Sequence, residues 1–137
     1  MQVQPYLFFN GRCEEAIEYY RATLGAEITS IMRFKEMPES DKGVLAPGSE
    51  NKIMHAGLRF GESEVFASDG MNNGETKFEG ISLSLAASDE AEAERLFGLL
   101  AEDGKIEMPL AETFFASRFG AVEDKFGVSW LVMSEKK

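Results

Sequence analysis

The chain has 137 residues, a net charge of −10 and 44% hydrophobic residues, which suits one domain with a real apolar core. No apolar run approaches the roughly 20 residues that span a bilayer, and no basic stripe interrupts the acidic balance, so neither membrane nor nucleic acid is expected as a partner. A single cysteine, Cys13, excludes an internal disulfide, and the N-terminus MQVQPYLFFN lacks a basic region ahead of an apolar one, so a cytoplasmic protein is expected.

Gln4 to Phe9 reads as an apolar strand broken by Asn10-Gly11. Cys13, Ala16, Ile17, Tyr20 and Leu24 then recur at helical spacing, and Gly25 is the expected stop. Ile28 to Phe34 is a second strand. Glu36 to Asn51, with two prolines, two glycines and several charges, reads as an exposed loop. Lys52 to Phe60 and Glu64 to Ser68 form a hairpin around Gly61.

The second half repeats this order. From Gly80 to Ala86, Ile81, Leu83 and Leu85 alternate with Ser82, Ser84 and Ala86, the period of a strand. Asp89, with Glu92 three residues on, starts a helix whose apolar stripe is Ala93, Leu96, Phe97 and Leu100, and Gly104 ends it. Strands follow at Lys105 to Leu110, Arg118 to Glu123 and Val128 to Ser134. The closing strands align by letter, FGESEVFAS from Phe60 against FGVSWLVMS from Phe126.

The segment TFFASRFGAVEDKFGVSW, from Thr113 to Trp130, carries the most information. Gly120 and Gly127 punctuate its aromatic residues, and Asp124-Lys125-Phe126-Gly127 reads as a tight turn into the last strand. Together with NGRCEEAIEYYRATLG near the N-terminus, it resembles the PhnB-like branch of the vicinal-oxygen-chelate superfamily, which includes glyoxalase and bleomycin-resistance proteins. The resemblance implies an α+β fold of two βαβββ modules whose curved mixed sheets enclose a cavity. The chain is then one domain over residues 1–137, with modules at about 1–70 and 77–137. It also implies a homodimer.

In such a fold each sheet packs one face on its helix and turns the other to the cavity. Alternation places Met54, Ala56, Leu58 and Phe60 under the first helix and Ile53, His55, Gly57 and Arg59 opposite. In the second module Ile81, Leu83, Leu85, Trp130 and Val132 are core, while Gly80, Ser82, Ser84, Ser129, Leu131 and Met133 face the cavity. Trp130 is therefore expected to pack rather than stack on a ligand. Phe114, Phe115 and Phe119, in a loop-like segment, either roof a pocket or belong to the core. Leu7, sharing the parity of Pro5, is expected at the cavity wall.

Glyoxalase-like relatives hold a divalent metal with His and Glu side chains from four strands. The corresponding positions here are Pro5, His55 or its neighbour, Gly80 and Leu131, so only one of four can ligate and no metal or other cofactor is expected. His55, the sole histidine, is read as a hydrogen-bonded pocket or core residue and is the best candidate for a donor or general base. Glu62, Glu64 and Glu123 lie near turns and are read as solvated. Cys13, on the helix stripe, is read as packing. Some members of this branch carry a demethylubiquinone methyltransferase label, but no Gly-rich turn follows the first strand to cradle a nucleotide cofactor.

The expected function is that of a metal-free small-molecule binding protein. Its expected lining is Leu7, His55, Ser82, Ser84, Phe114, Phe115, Phe119 and Leu131. The alternatives are a superfamily enzyme (lyase, isomerase or transferase) using His55 with a carboxylate or an atypical metal site, and an interaction protein whose cavity is filled by its own side chains.

Overall fold

A computed structural model describes residues 1–38, 48–70 and 76–136. The chain divides into two compact units, Met1–Thr76 and Lys77–Lys137. Most of the loop read between Glu36 and Asn51 lies outside the described residues.

The first unit contains β1 (Tyr6–Phe8), α1 (Cys13–Leu24), β2 (Glu27–Arg33), β3 (Ile53–Phe60) and β4 (Ser63–Ser68). Its sheet runs β1-β4-β3-β2, with β1 parallel to β4 and the other pairs antiparallel. The second contains β5 (Leu83–Ala87), α2 (Glu90–Ala101), β6 (Lys105–Ala111), β7 (Ala116–Glu123) and β8 (Ser129–Glu135). Its order, β5-β8-β7-β6, repeats the first with the same strand directions. Each unit is thus a βαβββ module with an open four-stranded mixed sheet.

In α1 Cys13, Ala16, Ile17 and Tyr20 of the expected stripe are buried, while Leu24 in the last turn is half-buried. Gly25 N–H closes the helix on Arg21 O at 3.1 Å. Its start has no side-chain cap of its own. Asp69 instead reaches in from beyond β4, where its Oδ1 accepts from Gly11 N at 2.6 Å and Cys13 N at 2.9 Å. Its Oδ2 accepts from Ile53 N at 2.8 Å. A carboxylate at this positive helix end, fully paired, ties α1 to the sheet. α2 has the local device that its sequence announced. Asp89 Oδ1 accepts from Glu92 N at 2.8 Å, and Glu92 Oε1 accepts from Ser88 N at 3.0 Å. This helix ends at Ala101, before Gly104.

Facing follows from pairing. In the first sheet Leu7, Ala67 and Ala56 are in register, as are Val65 and Leu58; all are buried, and Phe60 meets the Tyr20 ring of α1 at 6.1 Å between centroids. Ile53, expected opposite them, is fully buried at the end of β3, where its backbone is tied to Asp69. In the second sheet Leu83, Trp130 and Val122 are in register, and Trp130 and Val132 are buried as expected. Ile81 departs from expectation. It is 55% exposed, because β5 begins to pair with β8 only at Leu83.

The letter match between the closing strands does not carry facing. Two residues separate the paired Phe60 and Ser63, whereas five separate the paired Glu123 and Ser129. An odd difference flips every following side chain. Phe66 therefore lies opposite in facing to Val132, with which it aligns.

Candidate functional site

The face of the first sheet turned away from α1 carries an aromatic cluster. Tyr6 and Phe8 are two apart in β1 and so share a side. Their rings stack at 4.9 Å with 9° between planes, and they are 42% and 47% exposed. Phe66, paired with Tyr6 across β1 and β4, lies 5.7 Å from the Tyr6 ring and 5.1 Å from the His55 ring. The Tyr6 hydroxyl and His55 Nδ1 are 2.9 Å apart. Burial, and after it the neighbouring Cys13, pushes the Tyr6 phenol above its ordinary value, so it keeps its proton at neutral pH.

Polar side chains flank this cluster. Glu64 Oε1 accepts from Gln4 Nε2 at 3.1 Å and its Oε2 accepts from Thr29 Oγ1 at 3.1 Å, so it is bonded rather than simply solvated. These side chains close over Gly57, where an added Cβ would collide with the Thr29 hydroxyl. Glycine leaves room for this close approach of the Thr29 hydroxyl. Arg59 is paired with Glu27.

His55 sits on the open face, as its parity indicated. Leu7 does not. It is 6% exposed and lies in register with Ala67 and Ala56, on the side of the sheet opposite His55. Tyr6 and Phe8 occupy the open side of β1 instead. The sequence YLFF is apolar at both parities, so alternation alone could not orient this strand. Pro5 contributes its carbonyl, which accepts from Phe66 N at 2.9 Å.

The second sheet has its own open face. Ser84, Leu131 and Ala121 are in register there, as are Ala86, Met133 and Phe119. Ser82 Oγ and Ser129 Oγ are 2.8 Å apart, at the edge of a shallow recess of about 360 Å³ lined by Phe78, Ile81, Ser82, Glu107, Glu123 and Ser129. Phe119 meets Phe115 at 5.1 Å and Phe115 meets Phe114 at 5.1 Å. Phe114 is 91% exposed, so it is not core. Ser82, Ser84, Leu131 and Phe119 therefore lie on the second unit, and His55 on the first.

Among the described residues no three His, Cys, Asp or Glu side chains converge as a metal-ligand set. His55 is bonded to a phenol, and Cys13 is fully buried. No described helix is long and apolar enough to cross a membrane.

Two βαβββ modules with open mixed sheets define the glyoxalase/bleomycin-resistance fold, which solved proteins of that description share with this chain. A family model described as 3-demethylubiquinone-9 3-methyltransferase matches residues 1–133, and the chain belongs to this PhnB-like family of the superfamily. It is 42% identical over 138 residues to protein YjdN of Escherichia coli strain K12, covering 96% of this chain and 94% of that one. Protein PA1353 of Pseudomonas aeruginosa is 40% identical with a TM-score of 0.86, over 100% of this chain and 99% of that one. A PhnB protein from Bacillus cereus is 32% identical with a TM-score of 0.80, over 98% and 99% of the two chains.

Proposed function

We propose that the protein binds a small, largely apolar molecule without a metal, and that the open face of the first sheet receives it. The observation that carries this reading is the cluster of exposed Tyr6 and Phe8 with half-buried Phe66 around the Tyr6–His55 hydrogen bond. A soluble domain rarely leaves such a patch bare without a use for it, and a few polar groups set among aromatic rings is the usual make-up of a small-molecule site. On the second unit, Ser82, Ser84, Leu131, Phe114, Phe115 and Phe119 are proposed as the lining of that unit's own open face. Leu7 is left out because of its facing.

Native mass spectrometry of untagged protein incubated with a small-molecule extract tests this reading. A retained species that is lost in Phe66→Ala supports it. No retained species, or one indifferent to Phe66→Ala and His55→Ala, contradicts it. Elemental analysis of the same protein should find no stoichiometric transition metal, and light scattering should find the dimer implied by the superfamily.

One observation favours a second reading, an enzyme of the superfamily. Tyr6 and His55 form an acid–base pair in which the phenol, rather than a carboxylate, orients the imidazole. On this reading His55→Ala would abolish turnover of the retained species while leaving its binding in place. A product appearing with wild-type protein alone would establish it.

A further inference from the structure

We propose that the ligand of the first unit is a planar aromatic molecule bearing an uncharged carbonyl oxygen, with its ring against the Tyr6–Phe8–Phe66 cluster and its oxygen received by His55 Nε2. This rests on the reading of that face as the binding surface, and it names the chemistry the face selects.

The ring preference comes from shape. Tyr6 and Phe8 are nearly parallel and half-exposed, so a third flat ring extends an existing stack without rearranging it. Such offset stacking adds to the gain from area burial alone. A branched aliphatic ligand would bury area but forgo that term.

The oxygen preference comes from a proton count. A phenol is a strong donor and a weak acceptor, whereas an unprotonated imidazole nitrogen is a strong acceptor. The Tyr6 hydroxyl therefore donates to Nδ1 across 2.9 Å. With Nδ1 accepting, the ring N–H lies at Nε2, which has no protein partner among the described residues. The cluster thus offers a free donor and calls for an acceptor.

Charge decides which acceptor. Glu64 lies on the same face with both oxygens occupied by Gln4 and Thr29, and Arg59, the guanidinium on that side of β3, is committed to Glu27. A carboxylate or phosphate would meet the Glu64 carboxylate beside an arginine already paired, on a chain of net charge −10. A carbonyl oxygen accepts the same hydrogen bond without that repulsion.

Three probes separate the parts of the claim when titrated into ¹⁵N-labelled protein: coumarin (ring and carbonyl), naphthalene (ring alone) and δ-valerolactone (carbonyl alone). Coumarin should bind about tenfold more tightly than naphthalene, the worth of one hydrogen bond, with shifts centred on Tyr6, His55 and Phe66. δ-Valerolactone should give no saturable shifts. His55→Ala should bring coumarin down to the level of naphthalene, and Tyr6→Phe, which keeps the ring but frees the imidazole, should narrow the gap. Equal binding of coumarin and naphthalene to wild-type protein, both lost in Phe66→Ala, would overturn the carbonyl claim and leave the reading of the face standing. Saturable shifts with neither aromatic probe would overturn both. The wild-type comparison stands by itself if a variant fails to fold.

Discussion

The indole of Trp130 donates from Nε1 to Asp124 Oδ2 at 2.9 Å, and that same carboxylate builds the turn in front of the last strand. Its Oδ1 accepts from Phe126 N at 2.9 Å and Val128 N at 3.1 Å. Gly127, at a φ of 91°, supplies the left-handed step that the turn needs. One buried side chain thus sets the turn and anchors the largest core residue of the second unit.

Removing either partner should therefore be costly. Trp130→Ala should lose roughly 3–5 kcal/mol as a core truncation. Asp124→Ala should lose at least about 2 kcal/mol, because three buried donors are left without their acceptor. Urea unfolding measures both. A loss below about 1 kcal/mol for Asp124→Ala would show that water replaces the carboxylate at little cost.

Cys13 should be inert in the native protein. Burial raises its thiol well above the ordinary range, and the charges of Asp69 and Glu14 add to that. A raised folded-state value means that the contribution to stability is complete below the unfolded thiol's pKa of about 8.5 and is lost as pH climbs toward the folded value. At pH 8 a disulfide reagent should leave the native thiol unmodified over hours and titrate one thiol at once in strong urea. Rapid native reaction would place Cys13 outside the core.

Glu14 gives a dependence of opposite sign. Its side-chain hydrogen bond to Arg33 holds the carboxyl below its ordinary value. Its contribution is therefore present above the unfolded pKa of about 4.3 and lost as pH falls through the folded value. The carboxylate is mostly exposed, so the contribution is small, about 0.5 kcal/mol. Glu14→Gln should cost that much at pH 7 and nearly nothing at pH 3. A larger cost at pH 3 than at pH 7 would reverse the sign.

Where local chemistry determines structure, the sequence was enough. The Asp89–Glu92 box, the glycine after α1 and the Asp124–Gly127 turn each act within a few residues of themselves. Strand facing was legible where one parity is polar, as in Leu83-Ser84-Leu85, and His55 could be placed on the same principle. It failed at β1, where Tyr6, Leu7, Phe8 and Phe9 leave no polar side to choose, and the aromatic cluster was missed with it. Asp69 was missed for another reason. Its partners Gly11 and Cys13 are distant in sequence, so no short motif announces a helix capped from across the fold. The closing strands show the limit of matching letters, since a difference in turn length reversed the facing of aligned residues.

The central claim is that the open face of the first sheet is the binding surface. It is tested most directly by crystallising protein purified with its retained small molecule and locating that molecule's density. The account predicts density against Tyr6, Phe8 and Phe66, within hydrogen-bonding distance of His55 Nε2. Density confined to the recess at Ser82 and Ser129, with the aromatic face of the first sheet covered by other protein, would contradict it.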